Sequence, residues 1–256
     1  MKKPARPSAP APLAIWGLHP VLELLRHQPQ QITAIFLLKG SKENQGFHQI
    51  LGLANRHGIA VKQVESLPIP EADNVTHQGV AAAIRPFVPM DLNALLEQLA
   101  GKSAPLLVVL DSIQDPHNLG AIIRSAAAAG ADGIIMPKDR SAPLSGTVLK
   151  ASAGTMALTS LCQVTNLAHT LKELKKEGFW IYGAAGEAGQ SLYETSFTGP
   201  LCIVIGSEGK GLRPLVAEQC DHLIAIPLAT GVESLNASVA AGVILFEIVR
   251  QRRPAA

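Results

Sequence analysis

Two spacings of apolar residues divide this chain. Beyond residue 105, short runs that are nearly all apolar recur at Leu106–Leu110, Gly133–Met136, Leu161–Val164, Trp180–Gly183, Leu201–Ile205 and Leu223–Ile226. Between them lie stretches with helical spacing, Leu119–Ala129, Thr147–Ala153, Leu167–Glu177, Pro214–Gln219 and Ala237–Arg250. A strand loses its apolar/polar alternation when both faces of its sheet are covered, so this pattern predicts a largely parallel α/β domain over 105–256. Asn118, Asn166 and Asn236 are placed to cap helices, and Gly130 and Gly178 to end them.

The pattern before residue 88 is smaller and mixed. Val21–Arg26 and Phe47–His57 read as helices, and Ile32–Leu38, Ile59–Val64 and Val80–Ile84 as strands, enough for a compact α/β module over 13–87. Pro86, Pro89, Gly101 and Pro105 bracket a short helical segment, Leu92–Leu99, so 88–104 reads as a linker. Residues 1–12, rich in proline and alanine, read as a disordered tail.

Composition narrows the classes. Of 256 residues 47% are hydrophobic and 16% charged, which excludes a chain that stays unfolded. Five of the 22 cations (Lys2, Lys3, Arg6, Arg252 and Arg253) sit at the two ends, leaving 17 in the body against 20 anions. A generic basic binder of nucleic acid is therefore excluded on charge. Cys162, Cys202 and Cys220 are too far apart for a CxxC pair, so they read as buried thiols in a reducing cytoplasm, with no metal. No apolar stretch reaches membrane-spanning length or forms a signal peptide. A cytoplasmic protein with no membrane association is expected.

In parallel sheets ligands sit beyond the carboxyl ends of the strands. Three polar segments stand there. Asp111 to Arg124 runs into a helix carrying Asn118 and Arg124, in which Gly120 would allow close approach. Gly206-Ser-Glu-Gly-Lys-Gly-Leu212 presents Glu208 on a glycine-permitted turn. Ile226 to Ser238 carries Ser234, Asn236 and Ser238 into the last helix. The glycine segment is neither a P-loop, because Lys210 is followed by Gly211, nor a GxGxxG turn. Residue chemistry alone reaches only as far as a polar ligand site.

These segments resemble the three motifs of the SpoU branch of the SPOUT RNA 2′-O-methyltransferases: Asn118-Leu-Gly-Ala-Ile-Ile-Arg124, Ile205 to Leu212, and Ile226-Pro with Ser234-Leu-Asn-Ala-Ser238. Trp16-Gly-Leu-His-Pro-Val21, His77-Gln-Gly79, Asp115 to Gly120 and Pro137 to Ala142 look most like the members that methylate a guanosine of 23S ribosomal RNA. The resemblance implies a C-terminal trefoil-knotted SPOUT domain, a small N-terminal RNA substrate-binding domain, S-adenosyl-L-methionine as methyl donor and a homodimer. It places the donor on Ala184, Gly186, Gly206, Gly211, Ile226 and Leu235. It makes Arg124, Asn118, Glu208, Ser234 and Asn236 the catalytic set, with Arg124 close to the partner chain's donor site.

The implied reaction is methylation of the ribose 2′-hydroxyl of a guanosine in the peptidyl-transferase P-site loop of 23S rRNA. The alternatives are the same chemistry on tRNA or another rRNA site, and a non-catalytic RNA-binding protein of ribosome assembly. In the N-terminal module Lys39-Gly-Ser-Lys42 is a candidate phosphate contact, and burial is the expected fate of Trp16, Phe36 and Phe47.

Overall fold

The structure is a computed structural model, and it describes residues 13–41, 45–69 and 76–253. The expected tail over 1–12 and the candidate contact Lys42 lie outside the described residues. The chain divides into two compact units, 1–87 and 88–256.

The first unit is a four-stranded sheet in the order β1-β4-β2-β3, built from β1 (Leu13–Trp16), β2 (Ile32–Leu38), β3 (Val61–Val64) and β4 (Val80–Ile84). Strand β4 runs antiparallel to β1 and β2, and β2 runs parallel to β3. Helices α1 (Leu18–His27) and α2 (Gln45–Arg56) bury Val21, Leu22, Leu24 and Leu25, and Phe47, Ile50 and Ala54. Side chains alternate across a strand, so Trp16 and Phe36 share one face, in register on either side of Ala81. That face is closed by Leu67 and Ile69. Trp16 and Phe47 are buried, as the sequence predicts, and Phe36 packs against the same cluster as Trp16.

His77-Gln-Gly79 acquires a local reason. Gln78, at φ 51°, accepts a hydrogen bond on Oε1 from the N–H of Leu18 at 3.1 Å, supplying α1 with a cap that its own Gly17 lacks. Gly79, at φ 78°, lies so close to Ser41 that a Cβ would stand 2.3 Å from its Oγ.

The second unit is a seven-stranded sheet in the order β7-β6-β5-β10-β8-β11-β9, and every pair in it is parallel. Its strands are β5 (Leu106–Leu110), β6 (Gly133–Pro137), β7 (Leu161–Val164), β8 (Trp180–Ala184), β9 (Gln190–Ser191), β10 (Leu201–Ile205) and β11 (His222–Ala225). All residues of β5, β6 and β10 are buried, the property that erased alternation from their sequences. On one face Leu107, Val109, Cys202 and Val204 pack with α3 (Leu92–Leu99), α6 (Leu167–Lys176) and α7 (Pro214–Ala217). The alternate side chains face α4 (Pro116–Ala128), α5 (Gly146–Ala151) and α8 (Ala237–Arg252), which pack on one another through α4.

Three expectations change. The stretch read as a linker over 88–104 is woven into the second unit: Met90 bonds Leu161 of β7, and α3 buries Leu95 and Leu99. Helix α4 begins at Pro116, capped by Asp115 and not by Asn118, which leaves the Asn118 side chain free for tertiary contacts. Helix α5 stops at Ala151, because Ala153 and Gly154 both turn to positive φ. Asn166 and Asn236 do cap α6 and α8, and Gly130 and Gly178 take the left-handed backbone that ends a helix.

Cys162 and Cys202 are buried and Cys220 is half-buried. Burial raises all three thiols, Cys162 up to about 11 and Cys220 up to about 12. Such thiols are inert as nucleophiles near neutrality. No helix among the described residues is long and apolar enough to cross a membrane.

The last turn of α8 ties the segment ahead of β10. Gln251 donates to the Thr195 carbonyl and accepts from Phe197, and Arg252 donates to the carbonyls of Gly199 and Ala104. Glu247, almost fully buried, takes two hydrogen bonds from Arg250 and one from Gln251. Those bonds lower its carboxyl from 4.5 to about 2. A lowered pKa contributes stability above the unfolded value and loses it as pH falls through the folded one. Between pH 4.5 and 2, urea midpoints should therefore fall further in the wild type than in Glu247→Gln; parallel curves would contradict the assignment. The α4–α5 contact is equally specific, since a Cβ on Gly120 would stand 2.4 Å from Ala151 Cβ and 2.9 Å from the Val148 carbonyl. Gly120→Ala should destabilise the fold by about 1–3 kcal/mol in denaturant titration, the usual cost of overpacking.

Candidate active site

The carboxyl ends of β5, β10, β8 and β11 lie side by side in the sheet, and the three polar segments leave from them. Asp111 follows β5 and has no exposed surface. It accepts hydrogen bonds from the N–H of Arg213 at 2.8 Å and from Arg213 Nε at 2.6 Å, with Ser112 Oγ at 3.1 Å. A buried carboxylate needs such a partner, and removing one member of a buried pair costs about 3–5 kcal/mol. The pair binds the end of β5 to the loop after β10.

That loop closes tightly. Ser207 and Gly211 exchange main-chain hydrogen bonds, Gly209 and Gly211 take positive φ, and a Cβ on Gly206 would stand 2.3 Å from the Gly211 carbonyl carbon. Only glycine fits at 206. The turn lifts Glu208 toward α4 and α8, where three side chains join. Glu208 Oε1 accepts from Asn118 Nδ2 at 2.5 Å and from Asn236 Nδ2 at 2.6 Å, and Asn236 Nδ2 also reaches Asn118 Oδ1 at 3.0 Å. Asn236 Oδ1 meanwhile takes the N–H groups of Ser238 and Val239, so its role as a helix cap fixes its orientation in the ring. Oε1 takes both amides, and Glu208 Oε2 has no protein donor among the described residues.

The other two members of the expected catalytic set stand apart. Ser234 is exposed on the loop before α8. Arg124 is exposed, and neither an ion pair nor a hydrogen bond engages it among the described residues. Helix geometry explains the separation: six residues at 3.6 per turn put Arg124 about 120° around α4 from Asn118 and about 9 Å along it. Arg124 cannot join its own chain's ring without unwinding the helix. His117, one residue before Asn118, is exposed, and its N–H is held by the Asp115 cap.

The residues expected to hold the methyl donor fall on adjacent loops. Ala184 ends β8, Ile226 follows β11, and the two strands pair through Ile224 and Ala184. Gly186 faces the loop of Leu235, since a Cβ on it would stand 3.8 Å from the Glu233 carbonyl. Within Ile226–Leu235 the main-chain hydrogen bond among the described residues runs from Val232 to Ala229, leaving the other main-chain groups of that loop without main-chain partners inside it. Gly206 and Gly211 form the neighbouring turn on β10. This bed of glycine, alanine and open main chain fits a small ligand held by backbone groups. Among the described residues no group of three His, Cys, Asp or Glu is placed to hold a metal ion.

A cavity of about 610 Å³ opens beside the ring. Asn118 and Glu208 are in its wall, together with Arg140, Lys210 and Arg213. Sequence reading assigned Asp111, Arg140 and Arg213 no role. The signal available for Asp111 was a lone carboxylate directly after five apolar residues.

Two family models match the chain in order. The model of the SpoU rRNA methylase family matches residues 105–246, and that of the RNA 2′-O ribose methyltransferase substrate-binding domain matches 14–90. The 23S rRNA (guanosine-2′-O-)-methyltransferase RlmB of Haemophilus influenzae is 45% identical over 240 residues, 93% of this chain and 97% of that protein. The SpoU methyltransferase AviRb of Streptomyces viridochromogenes, solved with AdoMet, superposes with a TM-score of 0.76 at 23% identity, covering 94% of this chain and 91% of that one. The TrmH/SpoU tRNA modifying enzyme of A. aeolicus, 31% identical with a TM-score of 0.53, covers 63% of this chain and 82% of its own. With its ring of Asn118, Glu208 and Asn236 at the carboxyl edge of a parallel sheet and both family models matched in order, the chain belongs to the SpoU rRNA methylase family.

Proposed function

We propose that this protein transfers the methyl group of S-adenosylmethionine to the ribose 2′-hydroxyl of a guanosine in 23S rRNA, in the peptidyl-transferase P-site loop. The observation that carries the reading is the RlmB-like sequence over 93% of the chain, which includes the substrate-binding unit. The likeness to the tRNA enzyme spans 63% of the chain, so a tRNA target has less support. The intact ring of Asn118, Glu208 and Asn236 disfavours a non-catalytic assembly factor.

Bound on the loops of Ala184, Gly186, Gly206, Gly211, Ile226 and Leu235, the donor would supply a sulfonium-activated methyl. The chain's residues then have to present a hydroxyl in line with it and let a proton leave. Glu208, held by two amides, lines the cavity with no protein donor on Oε2 among the described residues, and is open to a hydrogen bond from the target hydroxyl or from the water that carries its proton away. Asn118 and Asn236 hold that carboxylate, and Ser234 adds a hydroxyl on the loop before α8.

Arg124 serves as a fork on the target ribose and phosphate. A guanidinium with pKa above about 12 has no proton-accepting form near neutrality, so the proton leaves late, assisted by water. Because Arg124 points away from its own ring, it acts at the site of a second copy. A homodimer also accounts for α8, whose Ala241, Ile244, Leu245 and Ile248 are buried while Val239 and Phe246 remain exposed. An enzyme of this kind works in the cytoplasm, where ribosomal RNA is made.

Mapping of 2′-O-methyl groups in total RNA from a deletion strain should show loss at one guanosine of 23S rRNA. Loss in tRNA, or no loss, would overturn the reading. In purified enzyme Glu208→Gln and Asn118→Ala should each lower turnover by about 100-fold, the scale set by misplacing a reacting group by about 1 Å. Arg124→Lys should lose turnover even with saturating RNA, because a point charge does not replace a planar fork; near wild-type turnover would remove Arg124 from this role. Equilibrium sedimentation should give a dimer, and an active monomer would exclude a shared site.

A further inference from the structure

The cavity beside the ring gathers cations that no assigned role uses. Arg140, Lys210 and Arg213 line it, from the loop after β6 and the loop after β10. Arg213 spends its Nε on Asp111, and its two terminal nitrogens have no hydrogen-bond partner among the described residues. Arg140 and Lys210 are exposed, and no carboxylate pairs with either among the described residues. Four other cations are engaged, Lys39 with Glu65, Lys102 with Asp132, Lys175 with Asp221 and Arg250 with Glu247; Arg56, Lys62, Lys138 and Lys172 are exposed without an ion pair among the described residues, and none of them lines the cavity.

The backbone is strained toward the same place. Among the described residues four that are not glycine take positive φ, and two of them, Ser112 at 65° and Arg140 at 61°, line this cavity. Such a conformation costs of order 1 kcal/mol or more and persists where the surroundings impose it. Here the Ala142 N–H donates to the Ile113 carbonyl at 2.8 Å, locking the two rim loops together. A glycine at 140 would be free of the strain. The chain instead carries a guanidinium there, which suits a position used for its side chain.

The cavity shares Asn118 and Glu208 with the ring, and none of its lining comes from the loops of Ala184–Glu187 or Ile226–Leu235. It meets the ring through the turn Ser207–Gly211, the one donor loop that it shares. We infer that Arg140 and Lys210, backed by the free end of Arg213, bind backbone phosphate of the RNA at the target nucleotide and seat that nucleotide against Glu208. This rests on the RNA-methylating reading of the site. Phosphate recognition by forked and point cations around a concave wall is the chemistry these side chains share. It also explains how a body with excess negative charge holds RNA.

The test is binding of a short single-stranded oligoribonucleotide to the full-length protein across a salt series, which needs no methylation and so stands apart from the choice of target. Each of Arg140→Gly and Lys210→Ala should weaken binding by about tenfold, the scale of hydrogen bonds to charged groups. Each should also lower the slope of log K against log salt by about 0.7, the single-strand value per phosphate contact. Arg140→Gly should leave the thermal midpoint unchanged or raised, since it relieves the φ of 61°. Calorimetric affinity for S-adenosylmethionine should be unaltered in Arg140→Gly, whose residue lies outside the donor loops. Lys176→Ala, which removes a charge from the end of α6, should leave the slope unchanged. Unaltered slopes in the cavity variants, an equal loss in Lys176→Ala, or a parallel loss of S-adenosylmethionine affinity in Arg140→Gly would each overturn the proposal.

Discussion

A carboxylate with no exposed surface cannot be left unpaired, and around Asp111 this requirement organises the second unit. Its partner, Arg213, is 102 residues further along the chain, at the far end of the loop that follows β10. Strands β5 and β10 are neighbours, so the pair closes a clamp across their carboxyl ends. With both ends of the loop anchored, Gly206 and Gly211 have to touch, and the turn between them can only project outward. Glu208 and Lys210 are what it projects. The position of a catalytic candidate thus follows from an ion pair buried at Asp111.

The same economy appears at Asn236, whose amide oxygen caps α8 while its amide nitrogen enters the ring. A helix cap is worth about 1 kcal/mol. Here it also fixes which way the amide points, which makes the ring a product of secondary structure. Asn118 shows the converse. Because Asp115 caps α4, Asn118 is spared that duty and can accept from Asn236 while donating to Glu208.

Much of the second unit was legible because complete burial leaves a strong mark: β5, β6 and β10 were read with nearly their observed bounds. Strand β9 was missed because two residues carry no period, and β1 also went unread. Leu92–Leu99 was recognised as a helix but misplaced as part of a linker, since flanking prolines record a change of direction and not which core receives Leu95 and Leu99. In the site, Asn118, Glu208 and Asn236 were legible through motif resemblance, and their mutual hydrogen bonds were not, because they join residues 28 to 118 apart. Arg140 was invisible as a site residue. Its significance lies in a backbone angle and in the absence of a counter-charge, and neither has a sequence signature.

The charge distribution follows from the same facts. An RNA-binding body with 17 cations against 20 anions cannot rely on a diffuse positive field. Pairing removes Lys39, Lys102, Lys175 and Arg250 from that field, since each already faces a carboxylate. Among the cations left without a carboxylate, Arg140 and Lys210 are gathered with the free end of Arg213 in one concave wall beside the ring. A phosphate entering that wall meets three cations at once. Local focusing of this kind favours an RNA segment whose shape enters the cavity over RNA in general, and so turns weak overall charge into selectivity.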